Sequence, residues 1–563
     1  MSTGKLCIVA NSYFLGPEDS DASSNSAYSD TLARTLAADG WTVHILWSAD
    51  GEDSDFSKSR AFKSLRDDLA NYGIQLFHVD QFPLRGEDLL ECTLVGEMND
   101  RSMRIRQALG QLNETHHYDL IELAEIGGDG FRTVEARVMG SAFAETAIVV
   151  KLHGSSQWHR HHNHQWPQGV NDAVADYFER YTFENADFQL APSLEMLDFV
   201  TSVGWNVKPD AKIVANLATN SDLATNSDLA TNSNSTTDRG ELAKQVYNEC
   251  FSRASSESPA SPYAHRLAAS EKPLVSIAVP YYNMADFAPD TLASLAAQDY
   301  PNLDVMVIND GSPDPRSIAV FEELTQTYPQ FRFLSHENRG LGATRNRGIA
   351  EAKGEYVVLV DSDNIARPEM VSRMVQAMQR NPDLSAATCF FTAFEETSDI
   401  AEGRFGYAYR PCGGPFAVSG IRNFYGDANA IYRTEAMRRS GGFELDRDTS
   451  YEDWEYFVKL ACQGHKLGVV PEYLFYYRHR ADSLMRSTDM YLNQYRVLRQ
   501  YFQATNLPHA ERISLWSVLM GLTEGRQPKP RRKKKRAAKR VMAELHRVAR
   551  KLSGGKVQRK RAA

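Results

Sequence analysis

The chain has 563 residues and a formal net charge of −9; 42% of its residues are hydrophobic and 24% are charged. These values are typical of a globular protein with at least two domains. No apolar stretch approaches the roughly 20 residues that a membrane-spanning helix needs. The six cysteines are widely separated, so the sequence predicts neither a disulfide framework nor a zinc site.

Residues 1–217 alternate between strand-like and helix-like patterns. Residues 5–11 lack the charged leader and the long apolar core of a signal peptide, so we interpret them as a first strand and expect a cytoplasmic protein. Further strands are predicted at 42–47, 119–123, 147–152, 188–191 and 212–214, and helices at 27–38 and 177–186. This alternation predicts βαβ units and therefore a Rossmann-like, parallel α/β domain.

Residues 218–270 are predicted to link two domains. From residue 218 to residue 234 a six-residue unit, Ala-Thr-Asn-Ser-Asp-Leu, is repeated almost without change. Its short polar side chains compete for backbone hydrogen bonds and bury little apolar surface. We therefore interpret the interval as a low-complexity, mobile linker.

A second α/β domain is predicted at 271–487, followed by a helical extension at 488–525. Its strands are predicted at 275–279, 305–308, 331–334, 356–360 and 386–391, and its helices at 289–297, 317–328 and 451–462. The strand at 356–360 is apolar and rich in Val, as expected for a buried strand of a mostly parallel sheet.

Polar or aromatic residues follow three of these strands. Asp361 and Asp363 come directly after 356–360, Asp310 follows 305–308, and Pro280 and Tyr282 close the first strand. Open α/β sheets place their ligands at the carboxyl ends of the strands. Two carboxylates one residue apart suit Mg²⁺ or Mn²⁺, and a tyrosine ring suits stacking on a base. Taken singly, each Asp equally fits an ordinary turn or cap.

Three further segments carry charged or titratable side chains. Glu452 and Asp453 open a helix, where they either complement the helix dipole or accept a proton from an attacking hydroxyl. Residues 338–348 combine glycines with arginines, including Arg345, which suits either an anionic ligand or a solvated basic loop. His479 stands among aromatic residues and arginines, and on its own it is interpreted as structural.

The order of these motifs along the chain resembles the family-2 inverting glycosyltransferases with the GT-A fold. The series runs Pro-Tyr-Tyr-Asn, Asn-Asp-Gly-Ser, Arg-Asn-x-Gly, Asp-Ser-Asp, Gly-Gly-Phe with Glu-Asp-Trp, and Tyr-Arg-His, within residues 272–487. The resemblance implies a mixed-sheet domain for a nucleotide-sugar donor, most often a UDP-sugar, and a divalent metal, Mn²⁺ or Mg²⁺. The donor-binding residues that it implies are Pro280, Tyr282, Asp310, Arg345, Asp361 and Ser362.

The same resemblance implies the metal ligands and the catalytic residues. It assigns the metal to Asp361, Asp363 and His479, with Asp363 as the direct ligand. It assigns the role of general base to Asp453, with Glu452 beside it, in a single in-line displacement that inverts the anomeric centre. Asn309 stands where many members have an Asp, so the resemblance leaves the base of the nucleotide open.

The first 217 residues resemble the N-terminal half of family-4 glycosyltransferases with the GT-B fold. The opening strand and the segments at 39–43, 118–122 and 151–154 carry this resemblance. The second half of that fold, with its paired glutamates, is absent, so we expect an acceptor-binding or scaffolding module without a catalytic centre of its own. The His-rich segment 158–166 is interpreted as a polar surface loop, with rings that also suit sugar stacking, in preference to a metal site.

Residues 526–563 form a strongly basic tail. They contain 17 Lys and Arg and one acidic residue, so the rest of the chain carries −25. Val541, Leu545, Val548 and Leu552 make one stripe of a basic amphipathic helix. A solvated tail is the simplest alternative, and nucleic-acid binding is disfavoured because no aromatics are interleaved. We expect peripheral attachment to an anionic membrane at its inner face.

These observations favour one function over two others. We expect a glycosyltransferase that moves a sugar to a hydroxyl of a glycan or a lipid-linked acceptor in surface polysaccharide synthesis. The alternative is a non-catalytic nucleotide-sugar-binding or glycan-binding subunit of a glycan assembly complex. Glu452 and Asp453 favour the enzyme, because a binding protein needs no general base. A bifunctional transferase is disfavoured, because the N-terminal module lacks its second half.

Overall fold

The computed structural model contains two compact units, the first built mainly of residues before position 257 and the second mainly of residues from 272 onward. The described residues are 4–10, 24–48, 59–92, 94, 96–165, 167, 169–215, 236–256, 272–480 and 488–504. The repeat at 218–234, the predicted extension beyond 504 and the predicted tail at 526–563 lie outside these ranges. Among the described residues, no helix combines the length and the apolar character that crossing a bilayer requires.

The first unit contains a seven-stranded sheet in the order β3-β2-β1-β4-β5-β6-β7, and every neighbouring pair is parallel. Its strands are β1 (Lys5–Ala10), β2 (Thr42–Trp47), β3 (Gln75–His78), β4 (Leu120–Ala124), β5 (Ala147–Lys151), β6 (Phe188–Ala191) and β7 (Lys212–Ile213). Its helices are α1 (Ser24–Ala38), α2 (Arg60–Ala70), α3 (Gly96–His116), α4 (Phe131–Met139), α5 (Ser156–His162), α6 (Val170–Glu184), α7 (Leu194–Ser202) and α8 (Thr236–Ser256). The predicted Rossmann-like parallel fold is confirmed.

The strands of this sheet form because they are apolar toward both faces. Every residue of β5 is buried, and so is every residue of β1 and β2 after the first. Such continuous burial is characteristic of parallel strands covered by helices. The strand order changes direction between β1 and β4, so the first unit has a topological switch point at the centre of its sheet.

Helix α8 lies within the interval that the sequence predicts to be a linker. Its Ala243, Val246, Tyr247 and Cys250 are buried and belong to the core of the first unit. Their spacing places them on one face of a helix, a signal that the neighbouring polar repeat obscures. The linker prediction is therefore wrong for 236–256, because this segment buries an apolar face against the first sheet.

The second unit contains a nine-stranded sheet in the order β10-β9-β8-β11-β15-β13-β16-β12, with β14 paired to β13. Its strands are β8 (Val275–Tyr281), β9 (Leu303–Asn309), β10 (Arg332–Ser335), β11 (Tyr356–Leu359), β12 (Ile365–Ala366), β13 (Leu384–Phe394), β14 (Ala408–Tyr409), β15 (Ile431–Arg433) and β16 (Lys466–Arg478). Its helices are α9 (Ala288–Ala296), α10 (Pro315–Thr327), α11 (Leu341–Glu351), α12 (Met370–Arg380), α13 (Thr397–Glu402), α14 (Thr434–Ser440), α15 (Glu452–Cys462) and α16 (Met490–Gln503).

This second sheet is mixed. Strands β10, β9, β8 and β11 are parallel to one another, whereas β15 is antiparallel to both β11 and β13. The order of the parallel strands changes direction between β8 and β11. A crevice for a ligand is expected beyond the carboxyl ends of these two strands. The mixed-sheet fold class predicted for this domain is confirmed.

Helix α16 completes the described part of the second unit by packing on α15. The link between the two helices is Glu455, which is 1% exposed and accepts hydrogen bonds from Arg496, Arg499 and Gln500. A buried carboxylate with several charged donors fixes the relative position of the two helices. The helix predicted after residue 488 is therefore present as far as the described residues extend.

Candidate active site

Three neighbouring strands of the second unit bring predicted donor residues to one edge of the sheet. Strands β8, β9 and β11 are parallel, so the residues that follow them, Tyr282, Asp310 and Asp361, emerge at the same edge. Tyr282 is 41% exposed and offers its ring to a ligand. Pro280, in contrast, is buried within β8 opposite Ile308. Of the two, Tyr282 is the residue that a ligand can reach directly.

Asp310 holds a neighbouring segment of backbone. It is 4% exposed, and its carboxylate accepts the N–H groups of Arg339 at 2.7 Å and Gly340 at 2.9 Å. Gly311 follows with a φ of 64°, and a Cβ there would lie 2.7 Å from the backbone nitrogen of Asn338, so only glycine fits. Asp310 therefore positions the segment that leads into α11, and its contact with a nucleotide stays a prediction.

The glycine- and arginine-rich segment at 338–348 continues into a helix, α11. A Cβ on Gly342 would lie 2.5 Å from the carbonyl oxygen of Glu444, and one on Gly348 would lie 2.5 Å from the Cβ of Ala278. The glycines thus allow close packing of the helix. Of the two alternatives for this segment, the solvated loop is therefore wrong from residue 341 onward, whereas contact with an anionic ligand stays a prediction.

Arg345 lies on α11 and joins two distant parts of the site. Its side chain is 2% exposed, its Nη2 donates to Asp361 Oδ1 at 2.7 Å, and its Nη1 donates to Glu452 Oε1 at 2.7 Å. Its buried Nε has no hydrogen-bond partner within the described ranges. The guanidinium therefore bridges the carboxylate after β11 and the carboxylate that opens α15. The predicted contact of Arg345 with donor phosphates stays a prediction.

The Asp-Ser-Asp segment forms a turn directly after β11. The N–H group of Asp361 donates to Asn429 Oδ1 at 3.0 Å, and Ser362 is 3% exposed. Asp363 Oδ2 accepts a hydrogen bond from Arg480 Nη1 at 3.0 Å. Burial, followed by the charge of Asp361, raises the pKa of Asp363 to about 6. The two aspartates therefore lie close enough to repel each other.

Asp427 is a further carboxylate of the site that the sequence analysis does not single out. It lies just before β15, and its Oδ1 accepts the N–H group of Asn429 at 2.9 Å. Burial and then the charge of Asp361 raise the pKa of Asp427 to about 6. The Asp-x-Asn pattern ahead of a short strand is visible in the sequence, but it is equally typical of a turn.

Helix α15 opens with the predicted catalytic pair. Glu452 is held by Arg345, whereas Asp453 Oδ1 accepts a hydrogen bond from the N–H group of Trp454 at 2.7 Å. Burial, and then the charges of Glu452 and Asp427, raise the pKa of Asp453 well above its usual range. Asp453 is therefore a half-buried carboxyl with an increased affinity for a proton, next to the other carboxylates of the site.

The predicted metal ligands do not come together as one group. His479 directs Nδ1 toward Glu395 Oε1 at 3.7 Å and packs edge-on against Tyr407, with ring centres 6.2 Å apart. Within the described part of the chain, no group of three or more His, Cys, Asp and Glu side chains is placed to hold a metal ion. Metal binding by Asp361, Asp363 and His479 stays a prediction.

The donor chemistry of the site nevertheless suits a hard divalent cation. The carboxylates of the site are Asp361, Asp363, Asp427, Glu452 and Asp453. The guanidinium groups of Arg345 and Arg480 donate hydrogen bonds to some of them. Carboxylate oxygens are the ligands that Mg²⁺ and Mn²⁺ prefer. A cation at Asp361 and Asp363 would offset the repulsion between the two carboxylates, which adds to the larger effect of burial on the pKa of Asp363.

The first unit also buries carboxylates near the carboxyl ends of its strands. Both oxygens of Glu125 accept the N–H group of His153 at 2.9 Å. Glu179 accepts the N–H group of Gly127 at 2.9 Å, and the N–H and hydroxyl groups of Ser156 at 2.8 and 2.7 Å. These carboxylates are therefore engaged by the loops of their own unit.

Residues 276–441 match the family described as Glycosyl transferase family 2. The second unit thus contains a family-2 glycosyltransferase domain, and the resemblance of 272–487 to this family is confirmed over the matched residues. Glu452, Asp453 and His479 lie beyond the matched residues, so their roles stay predictions. The match does not reach the first unit and leaves its resemblance to family 4 untested.

Individual relatives agree with this family. The chain is 28% identical over 225 residues to an uncharacterized glycosyltransferase, EpsJ, of Bacillus subtilis strain 168, covering 38% of this chain and 63% of the relative. It is 32% identical over 115 residues to the poly-beta-1,6-N-acetyl-D-glucosamine synthase of Staphylococcus epidermidis, covering 20% of this chain and 27% of the relative. A crystal structure of S. aureus TarS 1–349 in complex with UDP-GlcNAc is 18% identical with a TM-score of 0.39, covering 49% of this chain and 81% of that one. The chain spans less than two thirds of the length of these two sequence relatives.

Proposed function

We propose that the second unit transfers a sugar from a nucleoside-diphosphate donor, a UDP-sugar, to a hydroxyl of a glycan or a lipid-linked acceptor. The reaction inverts the anomeric centre, depends on Mn²⁺ or Mg²⁺, and contributes to the synthesis of a surface polysaccharide. The observation that carries the proposal is the position of Asp453, a half-buried carboxyl in the first turn of α15. It stands next to Glu452, which Arg345 ties to the carboxylate after β11.

Asp453 is suited to act as the general base. A carboxylate with a raised pKa takes a proton more readily near neutral pH than an ordinary Asp does. The acceptor hydroxyl gives its proton to Asp453 while its oxygen bonds to the anomeric carbon. The bond from that carbon to the diphosphate breaks in the same step, and the nucleoside diphosphate leaves with the electron pair. One displacement of this kind converts an α-linked donor into a β-linked product.

Donor binding in this proposal uses the edge formed by β8, β9 and β11. Tyr282 stacks on the base, Asp310 contacts the nucleoside, and Arg345 lies near the phosphates. Asp361, Ser362 and Asp363 lie where the diphosphate is expected, beyond the switch point between β8 and β11. Asp361 and Asp363 would hold the divalent cation, with His479 as a further ligand, and the cation supplies charge neutralisation of the diphosphate.

The first unit is proposed to bind the acceptor or to act as a scaffold. Its parallel sheet has a central switch point, and α/β proteins bind ligands at the carboxyl ends of the strands beside such a point. Its resemblance to the N-terminal half of family-4 glycosyltransferases supports the acceptor role. In the alternative proposal, the protein is a non-catalytic subunit that binds nucleotide-sugar or glycan. Asp453 stands beside Glu452 and accepts one hydrogen bond within the described residues, from the N–H group of Trp454. A carboxyl that anchors no loop favours the enzyme, because binding alone requires no base.

A donor screen tests the proposed activity. The full chain is incubated with a panel of nucleotide-sugars and either Mn²⁺ or Mg²⁺, and the release of free nucleoside diphosphate is measured. We expect release with at least one UDP-sugar, its loss on addition of EDTA, and a β-linkage by NMR when an acceptor is present. Turnover that is unaffected by EDTA would contradict the metal, and an α-linked product would contradict inversion. No release from any donor would favour the binding subunit.

The basic tail at 526–563 is proposed to attach the protein to an anionic membrane surface. Each Lys or Arg near such a surface contributes roughly 1 kcal/mol. Vesicles containing phosphatidylglycerol should sediment the full chain, but not a chain that lacks 526–563. Equal sedimentation of both proteins would contradict this role.

A further inference from the structure

A basic groove lies on the side of α11 in the second unit. Its volume is about 820 Å³, and it runs between α11 and the segment 443–447, which precedes α15. The residues that line it are His336, Asn338, Arg339, Ala343, Asn346, Arg347, Glu351, Leu445 and Arg447. A volume of this size accommodates several linked sugar units and greatly exceeds that of a single phosphate ion.

Three arginines of the groove have no carboxylate partner within the described part of the chain. Arg347 Nη1 donates to the carbonyl oxygen of Ser335 at 2.9 Å, and Arg447 Nη2 donates to the side chain of Asn338. Both bonds are to neutral acceptors, and both Arg447 and Arg339 are exposed. The guanidinium charges of the groove are therefore available to an anionic ligand.

The lining of the groove carries more positive than negative charge. It contains three arginines and one glutamate, Glu351, which pairs with Arg332 at 3.1 Å. Two acidic residues of the neighbouring segment pair with basic residues outside the groove: Glu444 with Lys459 at 2.8 Å, and Asp446 with Arg499. A positive groove on a chain that is strongly acidic before residue 526 concentrates polyanions locally.

We propose that this groove binds an anionic glycan chain, a polymer whose repeating units carry phosphate or carboxylate groups. Arginine recognises both groups through its planar pair of donors. The exposed Leu445, at 63%, adds an apolar contact for the face of a sugar ring. The amide of Asn338, whose oxygen accepts a hydrogen bond from Arg447, adds an NH₂ group that can donate to hydroxyl groups.

The groove is joined to the candidate active site through shared elements. The N–H group of Arg339 donates to Asp310, and the side chain of Asn346 is hydrogen-bonded to the backbone of Phe443 at 2.7 and 2.8 Å. Arg345 and Arg347 lie on the same helix but in different surroundings. The groove is therefore a subsite for the acceptor or the growing product. This assignment rests on the proposed function.

Binding is tested with the full chain and three defined polymers: sodium polyphosphate, polygalacturonate and neutral dextran. Hydrogen exchange with mass spectrometry locates the protected segments, so binding to the basic tail is separated from binding to the groove. We expect protection at 336–347 and 443–447 with polyphosphate, polygalacturonate or both, and none with dextran. Protection confined to residues outside these segments would overturn the proposal, and so would equal protection by dextran.

The matched variants are R347A/R447A in the groove and R404A/K466A at exposed positions outside it; Arg404 and Lys466 are 57% and 69% exposed. Each double variant removes two positive charges. We expect the groove variant to lose at least about tenfold in affinity for the polyanion, the control to keep it, and R347K/R447K to recover part of it. Equal affinities for both double variants would overturn the proposal.

Competing ligands test which class of molecule the groove binds, and donor turnover tests the proposed function separately. Single-stranded DNA that binds as tightly as the glycan polymers, and loses affinity in the same variant, would overturn the glycan assignment. UDP that protects the same two segments by itself would assign the groove to the donor instead. Release of nucleoside diphosphate from the donor without acceptor should persist in R347A/R447A, because neither arginine belongs to the donor site. Failure of the proposed function therefore appears as absent donor turnover in the wild type, independently of polymer binding.

Discussion

Both units of the protein hold carboxylates beside parallel strands whose order changes direction, but the partners of these carboxylates differ. In the first unit, Glu125 and Glu179 accept hydrogen bonds from backbone N–H groups of their own loops. In the second unit, two arginines donate hydrogen bonds to carboxylates of the site. Within the described residues, Asp453 accepts one hydrogen bond, from the N–H group of its neighbour Trp454.

The comparison shows that a raised pKa by itself does not identify a catalytic carboxylate. Burial raises the pKa of Glu125 to about 7 and that of Glu179 to about 8, although both anchor loops. Burial also raises the pKa of Asp453, next to the charges of Glu452 and Asp427. Perturbed groups mark functional sites only when their geometry leaves room for a substrate. The hydrogen-bond partners of the carboxylates, and not their pKa values, distinguish the two sites.

The largest effect is expected from Asp453→Asn in the second unit. Loss of the general base should decrease the rate of sugar transfer by about 10²- to 10⁴-fold, while donor binding is kept. The rate is measured as β-linked product per unit time at saturating donor. The matched control is Glu322→Gln, on the exposed surface of α10. Transfer at the wild-type rate by Asp453→Asn would contradict the role of Asp453 as general base. The carboxylates of the two units would then not differ in function.

The next effect concerns the stability of the second unit. Arg345→Ala leaves the carboxylates of Asp361 and Glu452 without their shared guanidinium. Breaking a buried charge network by removing one partner costs about 3–5 kcal/mol of unfolding free energy. Urea unfolding measures the loss, with Arg404→Ala as a control in an exposed ion pair. A cost as small as that of the control would show that Arg345 does not hold the site together.

A smaller effect is expected in the first unit from Tyr247→Phe. The Tyr247 hydroxyl contacts Glu122, whose pKa burial raises to about 7, and it lies 3.2 Å from the Tyr28 hydroxyl. Its removal leaves a buried carboxyl short of a donor, which costs about 1–3 kcal/mol. The thermal unfolding midpoint reports the change. Tyr72→Phe, at a 52% exposed tyrosine, should leave the midpoint unchanged. An unchanged midpoint in Tyr247→Phe would contradict a stabilising role for the contact between α8 and the core of the first unit.

The smallest effect is a pH dependence of the first unit. The folded-state pKa of Glu179, about 8, lies above its ordinary value of 4.5. Its contribution to stability is therefore complete below about pH 4.5 and is lost as the pH rises through about 8. We expect Glu179→Gln to flatten this decline, because a glutamine side chain does not titrate. Hydrogen exchange in β4 and β5, followed from pH 5 to 9, measures it; parallel pH profiles of variant and wild type would contradict the assignment.

The sequence predicts the parts of the fold that depend on local pattern. The apolar runs that become β1, β2, β8 and β11 are recognisable because parallel strands are buried on both faces. The segment 236–256 is predicted incorrectly because an adjacent polar repeat dominates its composition. The solvated-loop alternative for 338–348 fails from residue 341 onward, because the glycines there are explained by contacts with Glu444 and Ala278, which are distant in the chain.

By itself, the sequence determined that the chain has two α/β domains and that aspartates follow the strands of the second, because strand burial and residue order are local properties. It also established the resemblance to family-2 glycosyltransferases. Only the tertiary structure decided which charges meet: that Arg345 bridges Asp361 and Glu452, and that Asp427 lies within reach of the charge of Asp361. Electrostatic partners are chosen by folding and not by spacing, because burial strengthens every charge interaction between groups that the fold brings together.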